Sequence, residues 1–150
     1  MSYPQELACP SCGHQQHMEV WSSVNTGDKD LVHALKEQRL NIFECEKCKS
    51  RAFVDGSLLY HDLERGYCIQ YLGEEVMGAK ETYARITKQG TQVMDAISTA
   101  IAMNTQGEHF LRPHFVFGMD ELVAYIDFRD RCARWGKDAP EETPAADADE

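Results

Sequence analysis

Two pairs of cysteines, each with two residues between its members, constrain this chain more than any other feature. Cys9 and Cys12 form the first pair, and Cys45 and Cys48 form the second. Two intervening residues give a tight turn that points both sulfur atoms at one ion, and two such turns supply a tetrahedral set of ligands. We therefore predict that these cysteines bind one structural zinc ion.

Residues next to the two pairs support this prediction. Gly13 follows the first pair and permits the left-handed backbone that closes such a turn. Lys49 holds the equivalent position after the second pair. Zinc with four thiolates keeps a net negative charge, which we expect Lys47, Lys49 and Arg51 to offset in part.

Other uses of the cysteine pairs remain open from the sequence alone. A catalytic zinc would keep one coordination position for water or substrate. A redox dithiol would need an exposed thiol with a low pKa. His14 and His17 lie close enough to replace a cysteine as ligand, but four thiols already satisfy the ion, so we expect both histidines to be bystanders.

Short strands and a short helix dominate the first half of the chain, and the fold class predicted is α+β. The cysteine pairs suggest a zinc ribbon with an inserted short helix, followed by a β-hairpin sheet and two amphipathic helices. The predicted segments are a strand at 17–24, a helix at 30–40 capped by Asp28 or Asp30, strands at 41–44 and 51–54, a hairpin of 57–62 and 67–72 with Gly66 in its turn, a linker at 73–79, and a strand at 110–117 with Pro113 at an edge or bulge.

The two amphipathic helices are predicted over 80–103 and 119–135. The second helix has two apolar stripes on nearly opposite sides, so it is either sandwiched within the chain or meets a partner through one face. One stripe consists of Met119, Leu122, Val123, Ile126 and Ala133, and the other of Tyr125, Phe128, Cys132 and Trp135. Burial within the chain is the favoured interpretation of this second face. Aromatic residues also suit an interface, so self-association or an unknown protein partner through Tyr125, Phe128 and Trp135 is the alternative.

No catalytic constellation emerges from the remaining residues. Cys68 is expected to be a buried small hydrophobic residue. His61 and Asp62 can be imagined as an acid–base pair, but a solvated turn is the expected setting. The sequence has no nucleophile motif beside them and no glycine-rich phosphate loop, so we expect a module without catalysis of its own.

The charge of the chain bears on its partners and location. The net charge is −10, and the segment 138–150 contributes six acids and no base, which leaves −4 for the remainder. An acidic chain repels phosphate backbones, so nucleic-acid binding is disfavoured. Without a stretch of 18 apolar residues or a secretory signal at its start, the chain is expected to avoid membranes and to be cytoplasmic, with reduced thiols.

With its paired cysteine motifs, the chain resembles the CpXC family of bacterial and archaeal proteins. The segment CPSCGH at 9–14 matches the first family motif, whereas the second motif, CEKC at 45–48, has Glu46 where the family usually has proline. Further similarity lies in EVWSSVN at 19–25, LNIFEC at 40–45, LLYHD at 58–62, YCIQYL at 67–72 and HFVFGMDELVAYIDFRD at 114–130. The resemblance implies a zinc-ribbon-like fold in a bacterial cytoplasmic protein and supplies no substrate.

We therefore predict one domain over 1–136, with a ribbon and hairpin at 6–72 and a helical part at 80–136, followed by a disordered acidic tail at 137–150. The expected function is that of an interaction module stabilised by structural zinc. A nucleic-acid-associated regulator and a thiol-redox sensor that uses the cysteine pairs remain as alternatives.

Overall fold

The computed structural model describes residues 1–88 and 108–138, and it confirms a mixed α and β architecture. A 3-10 turn, Glu108–Leu111, precedes the last strand. The elements in chain order are β1 Ser2–Ala8, β2 Gln15–Trp21, β3 Ser23–Asn25, α1 Lys29–Lys36, β4 Ile42–Glu44, β5 Arg51–Phe53, β6 Leu58–Asp62, β7 Tyr67–Tyr71, α2 Glu74–Met77, α3 Lys80–Ala84, β8 His114–Val116 and α4 Met119–Asp138.

A mixed four-stranded sheet with the order β3-β6-β7-β8 forms the centre of the described fold. Strands β6 and β7 are the predicted hairpin, with Asp62 opposite Tyr67 and with Gly66 in the left-handed region at φ +62°. Strand β3 runs parallel to β6, and β8 runs parallel to β7. The strand predicted over 110–117 is shorter, because Glu108–Leu111 form the 3-10 turn and β8 covers only His114–Val116. Pro113 lies directly before β8, which is an edge strand of this sheet, rather than within it.

Helices α1 and α4 contribute apolar residues to the core that includes this sheet. Asp28 is the N-cap of α1, since its Oδ1 accepts a hydrogen bond of 3.1 Å from the Leu31 amide. Asp130 on α4 forms ion pairs of 2.6 Å with Lys36 on α1 and with Arg65 in the hairpin turn, and these pairs connect the three elements. The buried core consists of Val24, Leu35, Leu40, Leu58, Tyr60, Tyr67, Ile69, Tyr71, Val116, Leu122 and Ile126.

Two further antiparallel hairpins, β1–β2 and β4–β5, form separate two-stranded sheets. Strand β1 was not predicted, because its sequence SYPQELA lacks the alternation of apolar and polar residues that marks a half-buried strand. A small second core joins the two hairpins, and it contains Cys9, Phe43 and Cys45, with Leu7, Met18 and Val54 packed against them.

The helix predicted over 80–103 is confirmed at 80–84 and is wrong at 85–88. Helix α3 ends at Ala84, and residues 85–88 are not helical. Ile86 and Thr87 are β-branched, a side-chain shape that lowers helix propensity. Ile86 instead lines a cavity together with Leu72 and Phe115. The rest of that prediction, 89–103, lies outside the described residues.

The predicted linker at 73–79 contains the short helix α2. Its first amide is satisfied from a distant part of the chain, because Oδ2 of Asp55 accepts a hydrogen bond of 2.7 Å from the Glu74 amide. The other oxygen of Asp55 accepts the hydroxyl of Tyr71 at 2.7 Å. The residues around α2 give no sign of a cap that comes from so far away.

The solvated turn expected at His61 and Asp62 is also wrong. Each residue is 2% exposed, because both belong to β6 and the turn begins after them. Nε2 of His61 lies 3.0 Å from Nε2 of His109, and Asp62 accepts the Arg65 amide at 3.0 Å. Cys68 is buried as predicted, and burial raises the pKa of its thiol to about 11.

Helix α4 continues to Asp138 and includes Gly136, which was predicted to lie past its end. One predicted stripe is confirmed, since Leu122 and Ile126 are fully buried. On the other stripe, Phe128 is 49% and Trp135 79% exposed. Cys132 on the same stripe is exposed as well, so this face is not buried within the part of the chain that the structure describes. Residues 139–150 of the predicted tail lie outside the described residues.

Candidate metal centre

Each cysteine pair lies in the loop that closes one of the two small hairpins. In the first loop, which joins β1 to β2, the amide of Cys9 donates to the carbonyl of His14 at 2.8 Å, and the amide of Gly13 donates to the carbonyl of Cys9 at 2.9 Å. The second loop, which joins β4 to β5, repeats both hydrogen bonds: Cys45 amide to Ser50 carbonyl at 2.9 Å, and Lys49 amide to Cys45 carbonyl at 2.9 Å.

The equivalence of the two loops extends to their backbone angles. Gly13 has φ +71°, as its predicted role requires, and Lys49 has φ +60° at the matching position. A residue with a Cβ atom rarely adopts this region. The amide hydrogen bond of Lys49 to Cys45 therefore accompanies an uncommon backbone conformation, which the turn around the second pair requires.

The two loops bring the four cysteine sulfurs together. All four Sγ atoms lie within 4.8 Å of one another, so this group can hold a metal ion. The separation is 3.6 Å between Cys9 and Cys48, and 3.7 Å between Cys12 and Cys45. A regular tetrahedron with metal–sulfur bonds of about 2.3 Å has edges of about 3.8 Å. The donor set therefore fits a thiolate-bound ion of zinc's size.

Burial divides the four cysteines in the same way within each loop. The first member of each pair, Cys9 or Cys45, is buried in the small second core, whereas the second member, Cys12 or Cys48, is exposed. One side of the centre therefore faces apolar side chains and the other faces solvent. His14 and His17 do not belong to the group of potential ligands.

Ser50 supports the centre, and the sequence analysis did not identify it. Its hydroxyl oxygen lies 3.1 Å from the sulfur of Cys9 and 3.1 Å from the sulfur of Cys48. Backbone amides add two weaker contacts, from Ser11 to Cys9 at 3.4 Å and from Cys48 to Cys45 at 3.5 Å. The only sequence signal for Ser50 is its place two residues after the second pair.

The four thiols compete for protons in the absence of a cation. The Ser50 hydroxyl outweighs burial and lowers the pKa of Cys9 to about 5. At Cys12 the backbone at His14 lowers the pKa, but burial and the other three sulfurs outweigh it and raise the pKa to about 12. Four thiolates this close together repel one another, so they do not all ionise readily, and a bound divalent cation would offset this repulsion.

Two amide side chains connect the hairpins on either side of the centre. Gln16 on β2 donates to the carbonyl of Glu44 at 2.9 Å and accepts the amide of Glu46 at 2.9 Å. Asn41 accepts the amide of Trp21 at 2.8 Å and donates to its carbonyl at 2.9 Å. Each amide thus makes the pair of hydrogen bonds that a neighbouring strand would make. We refer to Gln16 and Asn41 as the amide clamps.

The basic residues near the second pair lie at the surface, and their expected effect on the charge of the centre stays a prediction. Arg51 is exposed and pairs with Glu44 at 3.5 Å. Lys47 and Lys49 are exposed as well. Within residues 1–88 and 108–138, the side-chain hydrogen bonds to the four clustered sulfurs come from the cysteines themselves and Ser50.

The fold and the site together define a protein with a four-cysteine centre that is able to hold a metal ion. The chain belongs to the CpXC family, whose model, described as CpXC protein, matches residues 7–130. This match confirms the resemblance seen in the sequence. No curated protein and no solved structure matches the chain. Within residues 1–88 and 108–138, no helix has both the length and the apolar character needed to cross a membrane.

Proposed function

We propose that this protein is an interaction module whose two small hairpins are held together by one structural zinc ion. Cys9, Cys12, Cys45 and Cys48 are the ligands. The observation that carries the proposal is the convergence of their sulfur atoms within 4.8 Å from two loops of the same geometry. Two such hairpins, each with a cysteine pair at its tip, correspond to a zinc ribbon.

The choice of zinc rests on the chemistry of the donors. Soft thiolates select zinc, copper(I) or iron–sulfur clusters over magnesium and calcium. Four thiolates form the closed tetrahedral set typical of structural zinc, which leaves no position for a reacting water. When bound, the ion supplies a fixed crosslink between residues near 10 and residues near 47. The six cysteines of the chain are all free, which supports a reducing compartment such as the bacterial cytoplasm.

The interaction role rests on the exposed stripe of α4, where Phe128 and Trp135 are solvent-accessible and Tyr125 is half-buried. Large aromatic residues of this kind are enriched in protein–protein contacts. A net charge of −10 disfavours a nucleic-acid backbone as the partner.

Metal analysis of the purified chain tests the zinc assignment. We expect one zinc per chain by plasma mass spectrometry. In the folded state the four ligand thiols should be protected from alkylation by the metal and Cys68 by burial, which leaves Cys132 reactive. Cys48→Ser should lose the metal, whereas Cys132→Ser, which alters another exposed cysteine outside the cluster, should keep it. Metal-free protein in which the four clustered thiols react would refute the assignment.

Thiol-redox sensing is a second candidate, favoured by the solvent exposure of Cys12 and Cys48. Hydrogen peroxide would oxidise two cysteine thiols to a disulfide and be reduced to two waters, and the ion would be released. The time course of zinc release at low peroxide concentration separates the candidates. Release within minutes together with disulfide formation supports sensing, and retention of zinc supports a purely structural role.

A further inference from the structure

The outward stripe of α4 lies outside the metal centre. It consists of Tyr125, Phe128, Cys132 and Trp135. The rotation of the helix is fixed, because Leu122 and Ile126 are fully buried and Asp130 contacts α1 and the hairpin turn. The stripe therefore cannot turn inward. Tyr125 stacks on His114 at 3.8 Å, and Phe128 lies 5.9 Å from Tyr125, so the aromatic surface is continuous over this part.

Charge is distributed unequally along the same helix. Glu121 lies one turn before Tyr125, at the N-terminal end of the stripe, and it is exposed. Arg131 and Arg134 lie near the C-terminal end and are exposed, and they line a surface cavity with Asp127 and Asp130, whose carboxylates pair with Lys36. Within the part of the chain that the structure describes, neither arginine forms an ion pair. The stripe thus has an acidic end and a basic end.

We propose that α4 pairs antiparallel with α4 of a second copy of this chain, with Phe128 at the two-fold axis. This inference rests on the interaction role proposed above and names the partner. The two-fold axis places residues at equal distances before and after Phe128 opposite each other. Tyr125 then faces Arg131 of the second copy, and Glu121 faces Trp135, one turn from Arg131.

Charge complementarity favours this occupant and this orientation. In the antiparallel pair each acidic end meets a basic end, and a closed two-fold contact uses the same patch on both copies. A parallel pair would place Glu121 against Glu121 and Arg131 against Arg131. The guanidinium of Arg131 over the face of Tyr125 would add a cation–π contact of the kind that Arg129 makes 4.0 Å from the Tyr67 ring.

Light scattering on the full zinc-loaded chain tests the pairing. We expect a mass of about twice 17.0 kDa, falling to 17.0 kDa for Phe128→Ser and for Trp135→Ser, with unchanged circular dichroism. Phe53→Ser is the matched control, since Phe53 is 41% exposed on β5, and it should leave the mass at the dimer value. A dimer that survives both stripe substitutions would overturn the proposal.

Charge reversal tests the orientation independently of the aromatic residues. Glu121→Arg and the double variant R131E/R134E should each weaken self-association roughly tenfold or more, and a mixture of the two should regain it. If mixing restores nothing, the antiparallel register is wrong. A zinc-loaded wild-type chain of 17.0 kDa at all concentrations overturns this inference alone, whereas a chain without metal contradicts the proposed function instead.

Discussion

Ser50 allows the geometry of the metal centre to be tested through one atom. The Ser50→Ala change removes a hydroxyl whose oxygen lies 3.1 Å from the sulfurs of both Cys9 and Cys48. A hydroxyl has a single proton, so the variant loses one hydrogen bond to thiolate rather than two. Loss of one such supporting partner typically weakens metal binding 10- to 100-fold. We therefore expect the zinc dissociation constant to rise by about that factor.

Competition against a chromophoric chelator at fixed pH measures this change. Ser11→Ala is the matched control, because Ser11 contacts Cys9 through its backbone amide at 3.4 Å, which the substitution retains. Ser50→Thr keeps a hydroxyl and should bind zinc within about threefold of the original chain. Cobalt(II) reconstitution gives a second readout, the thiolate-to-metal absorption band. If Ser50→Ala binds zinc as tightly as the original chain, the hydroxyl does not support the thiolates and the reasoning fails.

Three further predictions concern stability, each measured by urea unfolding. Burial and His109 lower the pKa of His61 in the folded chain. As the pH falls, the unfolded chain therefore takes up a proton first, and the stability present above about pH 6.5 should be lost below that pH. The variant His61→Phe should show a flatter pH profile, and an unchanged profile would contradict this. Leu122→Ala removes a fully buried side chain and should cost about 3 kcal/mol, whereas Leu63→Ala, at 55% exposure, should change stability by less than about 0.5 kcal/mol; equal effects would contradict the packing of α4. Asp55→Ala should cost about 2 kcal/mol, because it removes the acceptor of two hydrogen bonds, and Asp55→Asn should recover part of that loss; no loss in Asp55→Ala would refute the distant cap.

The sequence was most informative where local spacing determines local geometry. A pair of cysteines two residues apart requires a particular turn, and the left-handed Gly13 follows from that turn. The hairpin around Gly66 and the buried stripe of Leu122 and Ile126 follow from simple periodicity for the same reason. These features depend on neighbours a few positions away.

The misassigned features depend on contacts between distant parts of the chain. His61 and Asp62 end the predicted strand next to a turn, where polar residues are usually solvated, yet the fold buries both of them. The cap of α2 comes from Asp55, which precedes the central hairpin in sequence, whereas α2 follows that hairpin. Strand β1 pairs with β2 along its whole length, and of its half-buried residues Ser2, Gln5 and Leu7 only Leu7 is apolar, so the sequence shows little apolar alternation.

Only part of the metal centre could be predicted from the sequence. The cysteines have a distinctive spacing, whereas Ser50, Gln16 and Asn41 are ordinary polar residues until the fold places them. Asn41 illustrates the difficulty, because its role depends on a left-handed backbone at φ +56° and on an amide that substitutes for a strand.

The amide clamps bear on how the proposed ion would bind. In a short zinc-finger peptide, the metal must itself draw distant ligands together, so much of the binding energy is spent on closing the chain. Here Gln16 and Asn41 add four hydrogen bonds between the two hairpins that involve no sulfur atom. We therefore expect the ion to complete a linkage that these bonds have partly formed, so that less of its binding energy goes into closing the chain and more into affinity.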